Sequence, residues 1–376
     1  MSEVQFKEGL EDVVAGTSEI CFIDGKEGRL VYRGYDVRDL AEQTTFEEVV
    51  YLLWEGNLPT REQLNQFTTT LRSMRPLAKP VYDLLVSVPS STNPMDALRT
   101  AVSLAGIYDP DAGDNSYEAN RRKAMRLVAQ IPTMVASFER RRQGRVPIAP
   151  DSHLSLAENF LYMLHGKRPE EFPAHVFNTA LVLHADHELN ASTFAARVTA
   201  ATLSDLYSAV TSAIGALKGP LHGGANEEVM VMLQEIGEVD HVDTWIDNAL
   251  AQHKKIMGFG HRVYKTEDPR ATILRQFSRQ LGEQTGTIKN YQMLEAIRQT
   301  IQSKKPLYPN VDFYSGSVYA ALGIPTELYT PVFAVSRIAG WTAHILEQYR
   351  HNRIIRPRAE YTGPSHRDFI PLDDRE

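Results

Sequence analysis

The helical spacing of apolar residues along most of the chain is the feature that most restricts the fold. Phe46, Val49 and Leu53, for example, recur at i, i+3 and i+7, so they share one face of a helix. The only clear strand pattern lies near the start, where the apolar segments 20–23 and 30–33 flank a glycine-containing turn. This distribution predicts an all-α fold with a small N-terminal β-hairpin.

Capping residues mark several helix boundaries. Thr60 is followed three residues later by Gln63, the arrangement of a capping box, and Asn93 precedes a proline that can open a helix. The segment 174–218 is rich in alanine, valine, leucine and serine and contains few helix-breaking residues. We predict two closely packed, buried helices there, with a break near residues 190–192.

The chain length implies more than one ordinary core. A chain of 376 residues exceeds the size at which a single core usually stops growing. Residues 224–323 are more polar and charged than the apolar segments before and after them. We therefore expect a large helical domain formed by residues 1–223 and 324–376, with residues 224–323 inserted into it as a smaller, mobile domain.

Composition argues against several classes of protein. The net charge of −7 gives no reason to expect nucleic-acid binding. Cys21 is the single cysteine, so it can form neither an internal disulfide nor a cysteine-only zinc site, and its strand-like setting indicates a buried, inert thiol. Residues 1–10 contain no apolar signal-peptide core, and no run reaches the roughly 18 apolar residues of a membrane span. We expect a soluble, cytoplasmic protein.

His222 lies in a glycine turn that could approach a ligand closely. Gly223 and Gly224 follow it, and the residues from Ala225 onward have the character of a helix start. A helix N-terminus favours negative charge and keeps a nearby imidazole neutral, so His222 could donate a hydrogen bond to an enolate-like oxygen. The alternative is a histidine that is simply hydrogen-bonded within the turn.

His261 has a similar setting. Gly258 and Gly260 precede it, while Arg262 and Arg270 follow it within nine residues. A lone Gly-x-Gly pattern is a weak signal that usually marks only a turn. Its combination with a histidine and two arginines favours an anion-binding loop.

Asp312 lies between apolar neighbours, Val311 and Phe313. A carboxylate in this setting is either a helix cap or a base whose proton affinity is raised by burial. The pattern by itself favours the cap, although the neighbouring proline and asparagine allow a loop carboxylate that acts in catalysis.

His184 and His187 are three residues apart and could share one helix face, so a metal site is conceivable. The segment does not match the His-Glu-x-x-His pattern, and no cysteine can complete a ligand set. We favour one histidine as an anion ligand and the other as a packing residue. A metal-dependent hydrolase centred on this pair remains an alternative, as does a helical scaffold without catalytic activity.

Taken together, these segments resemble citrate synthase, and the resemblance extends over nearly the whole chain. Several spaced motifs in the same order are difficult to obtain by chance. The matching segments are 32–36, 39–41, 57–60, 222–226, 258–264, 268–270 and 310–316.

The resemblance implies a two-domain helical homodimer, a citrate (Si)-synthase that condenses acetyl-CoA with oxaloacetate and water to give citrate and CoA. By position, Asp312 would remove a methyl proton from acetyl-CoA. His222 would hydrogen-bond the thioester oxygen, and His261 would polarise the oxaloacetate carbonyl. A thioester α-proton is a poor acid, so a positioned base and a preorganised donor must act together.

The resemblance also implies the substrate contacts. The residues that match the oxaloacetate ligands are His187, Arg270, Arg337 and Arg356, of which Arg356 would reach across from a second subunit. The residues that match the CoA-binding stretch are Lys255, Ile256, Met257, Gly258 and Phe259. No metal or other cofactor is implied. The chain resembles the shorter, dimeric branch of the family, for which inhibition by NADH is not expected.

The main alternative is 2-methylcitrate synthase, which uses propionyl-CoA on the same fold. The segments around Asp312 and His261 look more like those of citrate synthase. An extra methyl group changes selectivity by only about 1–3 kcal/mol, so the acyl group is the least determined part of the prediction.

Overall fold

The structure, a computed structural model, describes residues 7–11 and 13–375. This part contains 16 α-helices and is 62% helical, which confirms the predicted all-α class. The expectation about a signal peptide concerns residues 1–10, of which residues 1–6 lie outside the described part. Among the described residues, every helix is too short or too polar to cross a membrane.

The predicted hairpin is present. Strands β1 (Cys21–Asp24) and β2 (Arg29–Tyr32) pair antiparallel, with Cys21 opposite Tyr32. A third strand, β3 (Tyr35–Asp36), extends the sheet in the order β1-β2-β3 and was not predicted, because two residues are too few to show an alternating pattern. Cys21 is buried, in agreement with the sequence.

The helices follow the hairpin in an almost unbroken series. They are α1 (Val37–Gln43), α2 (Phe46–Glu55), α3 (Arg61–Ser73), α4 (Lys79–Ser87), α5 (Pro94–Ile107), α6 (Tyr117–Arg142), α7 (Leu156–His165), α8 (Glu171–His184), α9 (Ala191–Ala201), α10 (Leu206–Leu217), α11 (Ala225–Ile236), α12 (Val242–Ala251), α13 (Pro269–Thr285), α14 (Ile288–Lys304), α15 (Val311–Ala321) and α16 (Tyr329–Arg350). The predicted caps are confirmed: Thr60 forms a capping box with Gln63, and Asn93 caps α5.

The predicted break near residues 190–192 is confirmed, because Asn190 caps α9, but the prediction of two helices between residues 174 and 218 is wrong, because α8, α9 and α10 share this segment. The second break lies at residues 202–205. There Leu203 has a φ of +64°, and the side chain of Asp205 accepts a hydrogen bond from the Ser208 N–H at 3.0 Å. An aspartate cap thus starts a new helix inside a segment whose apolar composition conceals it.

Helix α16 lies at the centre of the fold, in contact with α2, α6, α8, α9 and α10. Nearly all of its residues are buried, including the polar side chains of Arg337, Thr342 and His344. Buried polar groups need partners, and Arg337 and His344 find theirs at His184 and Asp186, in the segment that carries His187. The central helix therefore links the core to the site.

Candidate active site

Four predicted site residues from distant parts of the chain, His187, His222, His261 and Arg337, lie near one another and line what we call the cleft. The rings of His187 and His261 have centroids 5.1 Å apart, and Nε2 of His187 lies 3.3 Å from the hydroxyl of Tyr264. On the other side, the ring of His222 lies 6.4 Å from that of Phe333, over which the Arg337 guanidinium stacks at 4.6 Å. The loops after α8, α10 and α12 thus face the central helix.

The hydrogen bonds of His222 determine its tautomer. Nε2 accepts from the backbone N–H of Ser192 at 3.3 Å and lies 2.8 Å from the hydroxyl of the same residue. A backbone N–H can only donate, so Nε2 carries no hydrogen. Burial, and then the charge of Arg337, lower the pKa of His222 to about 4, so the ring is neutral at pH 7 and its hydrogen is on Nδ1.

His261 has the opposite tautomer. Its Nδ1 accepts from the backbone N–H groups of Val263 at 3.0 Å and Tyr264 at 3.2 Å, so Nε2 carries the hydrogen. Burial, and then the charge of Arg270, lower the pKa of His261 to about 4. The cleft therefore contains two neutral imidazoles, each held as a donor through a defined ring nitrogen.

Asp312 is not the helix cap and does not lie in a loop, so the cap interpretation and the expected loop position are wrong, whereas its role as a base stays a prediction. It lies in the first turn of α15, and Asn310 is the cap, because its side chain accepts from the Asp312 N–H at 3.0 Å. With the cap position occupied by Asn310, the Asp312 carboxyl is available for other contacts. Burial raises its pKa to about 6, with Arg270 and Arg337 opposing part of the shift.

Two arginines contribute buried positive charge. Arg270 is 3% exposed and forms a two-point ion pair with Asp268, with N–O distances of 2.9 and 2.7 Å. Arg337 is 1% exposed, and its Nε donates to the carbonyl of His184 at 2.8 Å. Guanidinium groups suit two-point binding of carboxylates, so this pair fits an anionic ligand beside His187.

His184 does not enter the cleft. It is fully buried, its Nδ1 lies 2.8 Å from the carbonyl of Ala180, and its ring packs edge-on against Phe333 at 5.2 Å. In residues 7–11 and 13–375, no group of three or more histidine, cysteine, aspartate or glutamate side chains could hold a metal ion. The pair His184 and His187 therefore has no third ligand within this part of the chain.

The predicted CoA-binding stretch runs beside the start of α15. Gly258 accepts from the Asn310 N–H at 2.9 Å, and the rings of Phe259 and Phe313 are 4.7 Å apart. Gly258 has a φ of +79°, and a Cβ there would lie 2.7 Å from the Phe313 ring, so glycine is required for this close approach. Of the stretch, Lys255 is exposed, whereas Ile256 and Phe259 are buried.

Arg356 is the one predicted site residue that lies apart from the others. It is exposed in the segment after α16 and lines a cavity of about 690 Å³ together with Leu189, Phe194, Arg197 and Arg353. Within a single chain the structure does not bring Arg356 to the histidines.

The sequence did not identify two of the residues that hold the cleft together. Ser192 contacts His222 across 30 positions of sequence, and the Tyr264 hydroxyl contacts His187 across 77 positions. Tyr264 belongs to a motif that was noted, but neither residue had a local signal that pointed to these contacts. Both contacts depend on how the loops pack against α16.

Comparison with known proteins finds one matching family model and many relatives. The family model "Citrate synthase, C-terminal domain" matches residues 9–358. Citrate synthase 2 of Bacillus subtilis is 52% identical, over 98% of this chain and 98% of its own length. The 2-methylcitrate synthase 1 of Corynebacterium glutamicum is 43% identical, with 100% of each chain covered.

Solved structures show the same relationship. The citrate synthase of Thermoplasma acidophilum, solved as a ternary complex with carboxymethyl coenzyme A and oxaloacetate, has a TM-score of 0.93 to this chain. The two are 35% identical, with 99% of this chain and 100% of the other covered. The likeness therefore includes the whole helical architecture around the cleft.

Proposed function

This chain belongs to the citrate synthase family, and on that basis we propose that it condenses acetyl-CoA with oxaloacetate and water to give citrate and CoA. The observation that carries the proposal is the cleft in which two neutral histidines with opposite tautomers accompany a carboxyl group of raised pKa. A carbon acid as weak as a thioester needs this combination of donor and base.

In the proposed first step, Asp312 takes a proton from the methyl group of acetyl-CoA. The electron pair of the broken C–H bond forms the enolate, and Nδ1 of His222 donates a hydrogen bond to its oxygen. A pKa of about 6 suits a base that must be ionised near neutral pH and still bind a proton in the transition state. His222 is neutral before the reaction, so it can stabilise the oxyanion through a hydrogen bond with no prior change in its own charge.

In the second step, the enolate carbon attacks the keto carbon of oxaloacetate. Nε2 of His261 donates its hydrogen toward the keto oxygen as that oxygen gains charge. The keto oxygen becomes the hydroxyl of citryl-CoA, and the proton held by Asp312 is released to restore the base. Water then hydrolyses the thioester and releases CoA and citrate. His187, Arg270 and Arg337 are proposed to bind the two carboxylates of oxaloacetate, since guanidinium groups pair with carboxylates in a two-point geometry.

We propose a homodimer in which Arg356 completes the site of the second subunit. The exposed position of Arg356 supports this assignment, because within one chain it lies in the segment after α16, apart from the histidines. Residues 255–259 are proposed to contact CoA from the side of α15. A cytoplasmic location belongs to the same proposal.

Residues 224–323 are proposed to act as a mobile domain. His261, Arg270 and Asp312 belong to this segment, whereas His187 and Arg337 belong to the remainder of the chain. Closure of one part on the other would complete the site and exclude water until condensation has occurred.

A second candidate function is 2-methylcitrate synthase, favoured by the relative from Corynebacterium glutamicum. That reaction would use propionyl-CoA with the same base and donors.

The test of both candidate functions is release of free thiol from acetyl-CoA and from propionyl-CoA, each with and without oxaloacetate. Oxaloacetate-dependent release with a higher kcat/KM for acetyl-CoA supports the main proposal. A higher kcat/KM for propionyl-CoA supports the second candidate, and no oxaloacetate-dependent release rejects both.

A further inference from the structure

The segment that carries His187 is closed into a turn by the side chain before it. Oδ2 of Asp186 accepts a hydrogen bond from the backbone N–H of Glu188 at 3.2 Å, so the turn spans His187. Glu188 has a φ of +53°, which is an unfavourable conformation for a residue with a side chain. The Asp186 carboxylate therefore stabilises a backbone shape that the chain would not readily adopt by itself.

A histidine on the central helix holds this carboxylate. Nε2 of His344 lies 3.3 Å from the same Oδ2, and both side chains are fully buried. Nδ1 of His344 lies 3.1 Å from Nη1 of Arg197, which can only donate, so Nδ1 is an acceptor. The ring hydrogen is consequently on Nε2, where it is donated to Asp186.

Further hydrogen bonds hold both ends of the series formed by Arg197, His344 and Asp186. Arg197 also donates to Glu347 at 2.6 Å and to Gln348 at 3.1 Å. At the inner end, the Tyr32 hydroxyl donates to the Asp186 carbonyl at 2.9 Å and accepts from the Asp186 N–H at 3.2 Å. Burial opposes the charge of Asp186, but the interactions with His344 and Arg337 hold its pKa below the ordinary carboxyl value.

We infer that Asp186, oriented by His344, is a positioning residue that sets the imidazole of His187 for oxaloacetate binding. The inference rests on the proposed function, in which His187 contacts oxaloacetate. Neither Asp186 nor His344 touches the substrate in this arrangement. They act through the turn, because the carboxylate bonds the residue after His187 while the backbone of Asp186 is anchored to Tyr32. A displacement of about 1 Å in such a group can reduce activity up to roughly a hundredfold.

The test compares Asp186→Asn and His344→Leu with His344→Gln. Asparagine replaces the charged acceptor of the turn with a neutral and weaker one, and leucine removes the donor that orients the carboxylate. Glutamine retains an N–H group near the position of Nε2. We expect Asp186→Asn and His344→Leu to raise the KM for oxaloacetate by about tenfold or more. Their kcat and their KM for acetyl-CoA should stay within about threefold of the wild type, as should all three constants of His344→Gln.

Glu139→Gln provides the matched control. Glu139 is a fully buried carboxylate at the end of α6 that pairs with Arg142, and its hydrogen bonds involve no residue of the cleft. This substitution should lower the melting temperature and leave the KM for oxaloacetate unchanged. The control separates loss of a buried charge in general from loss of the turn around His187.

Several outcomes would overturn the inference. The first is an unchanged oxaloacetate KM in both Asp186→Asn and His344→Leu. The second is a His344→Gln variant as impaired as His344→Leu. The third is a rise in the oxaloacetate KM of Glu139→Gln as large as that of Asp186→Asn. Binding of oxaloacetate is measured by calorimetry alongside the kinetics. If the wild type binds oxaloacetate but releases no thiol, only the proposed function is rejected. The oxaloacetate affinities of the variants then decide the inference. Absence of any binding by the wild type rejects both.

Discussion

The backbone N–H of Ser192 donates to Nε2 of His222 at 3.3 Å. This bond leaves Nδ1 as the nitrogen that carries the hydrogen of the neutral ring. The Ser192 hydroxyl accepts in turn from the indole N–H of Trp341 on α16, at 3.1 Å. The direction in which His222 can donate is thus determined by the start of α9 and by the central helix.

Replacement of His222 by alanine tests its role as the enolate donor. Loss of one preorganised oxyanion donor typically lowers kcat by about 10²–10³-fold, and we expect a loss in this range. The KM for oxaloacetate should change little, because His222 is not proposed to bind that substrate. Thiol release at saturating substrates measures the effect. Ser192→Ala keeps the backbone N–H, so its loss should be no more than about tenfold, and a loss equal to that of His222→Ala would contradict the tautomer argument.

Asp312→Asn tests the assignment of the base. Asparagine has nearly the same shape and cannot accept the methyl proton, so exchange of the acetyl-CoA methyl protons with solvent should fall to the uncatalysed level. Exchange is followed by NMR in deuterated buffer, with a non-reacting oxaloacetate analogue present. Oxaloacetate binding, measured by calorimetry, should remain within about threefold, since the side chain is not proposed to contact that substrate. Retained proton exchange would show that another group is the base.

The pH dependence of kcat/KM should report the ionisation of Asp312. Its pKa of about 6 means that the carboxyl group gains its proton, and ceases to be a base, as the pH falls through 6. The pKa values of His222 and His261 are both about 4, so these rings stay neutral over the same interval. We expect a single acid limb with a midpoint near pH 6, measured between pH 5 and pH 8. A limb with a slope of two would indicate a second essential group.

The same carboxyl group should reduce stability at neutral pH. Its folded-state pKa of about 6 lies above the ordinary value of 3.8, so the folded state binds the proton more tightly. The free energy of unfolding is therefore lowered as the pH rises from about 4 through 6, and the loss is complete above that. Asp312→Asn should raise the free energy of unfolding by about 1–2 kcal/mol at pH 8. The difference should be much smaller at pH 4, where the folded carboxyl is protonated and the unfolded one is about half protonated, and denaturant melts at the two pH values measure it.

Mixed dimers test whether Arg356 acts on a second subunit. The single variants Asp312→Asn and Arg356→Gln should each be nearly inactive. If each site takes Asp312 from one chain and Arg356 from the other, a mixed dimer has one intact site and one site with both lesions. Random reassociation of equal amounts should then restore about a quarter of the wild-type activity. Activity no higher than that of the separate variants would place Arg356 in the site of its own chain.

Local sequence patterns determined most of the helices and the main catalytic candidates. The periodic apolar residues of α2 and the caps at Thr60 and Asn93 need only a few neighbouring positions, so they can be read from the chain directly. The histidines at 222 and 261 were recognisable for a similar reason, because glycines beside them mark backbone that can approach a ligand.

Only the tertiary structure decided how those groups are held. The cap of α15 is Asn310 and not Asp312, since two candidates two positions apart compete for the same backbone donors and packing selects one. The tautomers of His222 and His261, and the pairing of Asp186 with His344 across 158 positions, depend on contacts that no local spacing encodes. Hydrogen bonds of this kind form only when buried segments meet, because burial removes the water that would otherwise satisfy each group.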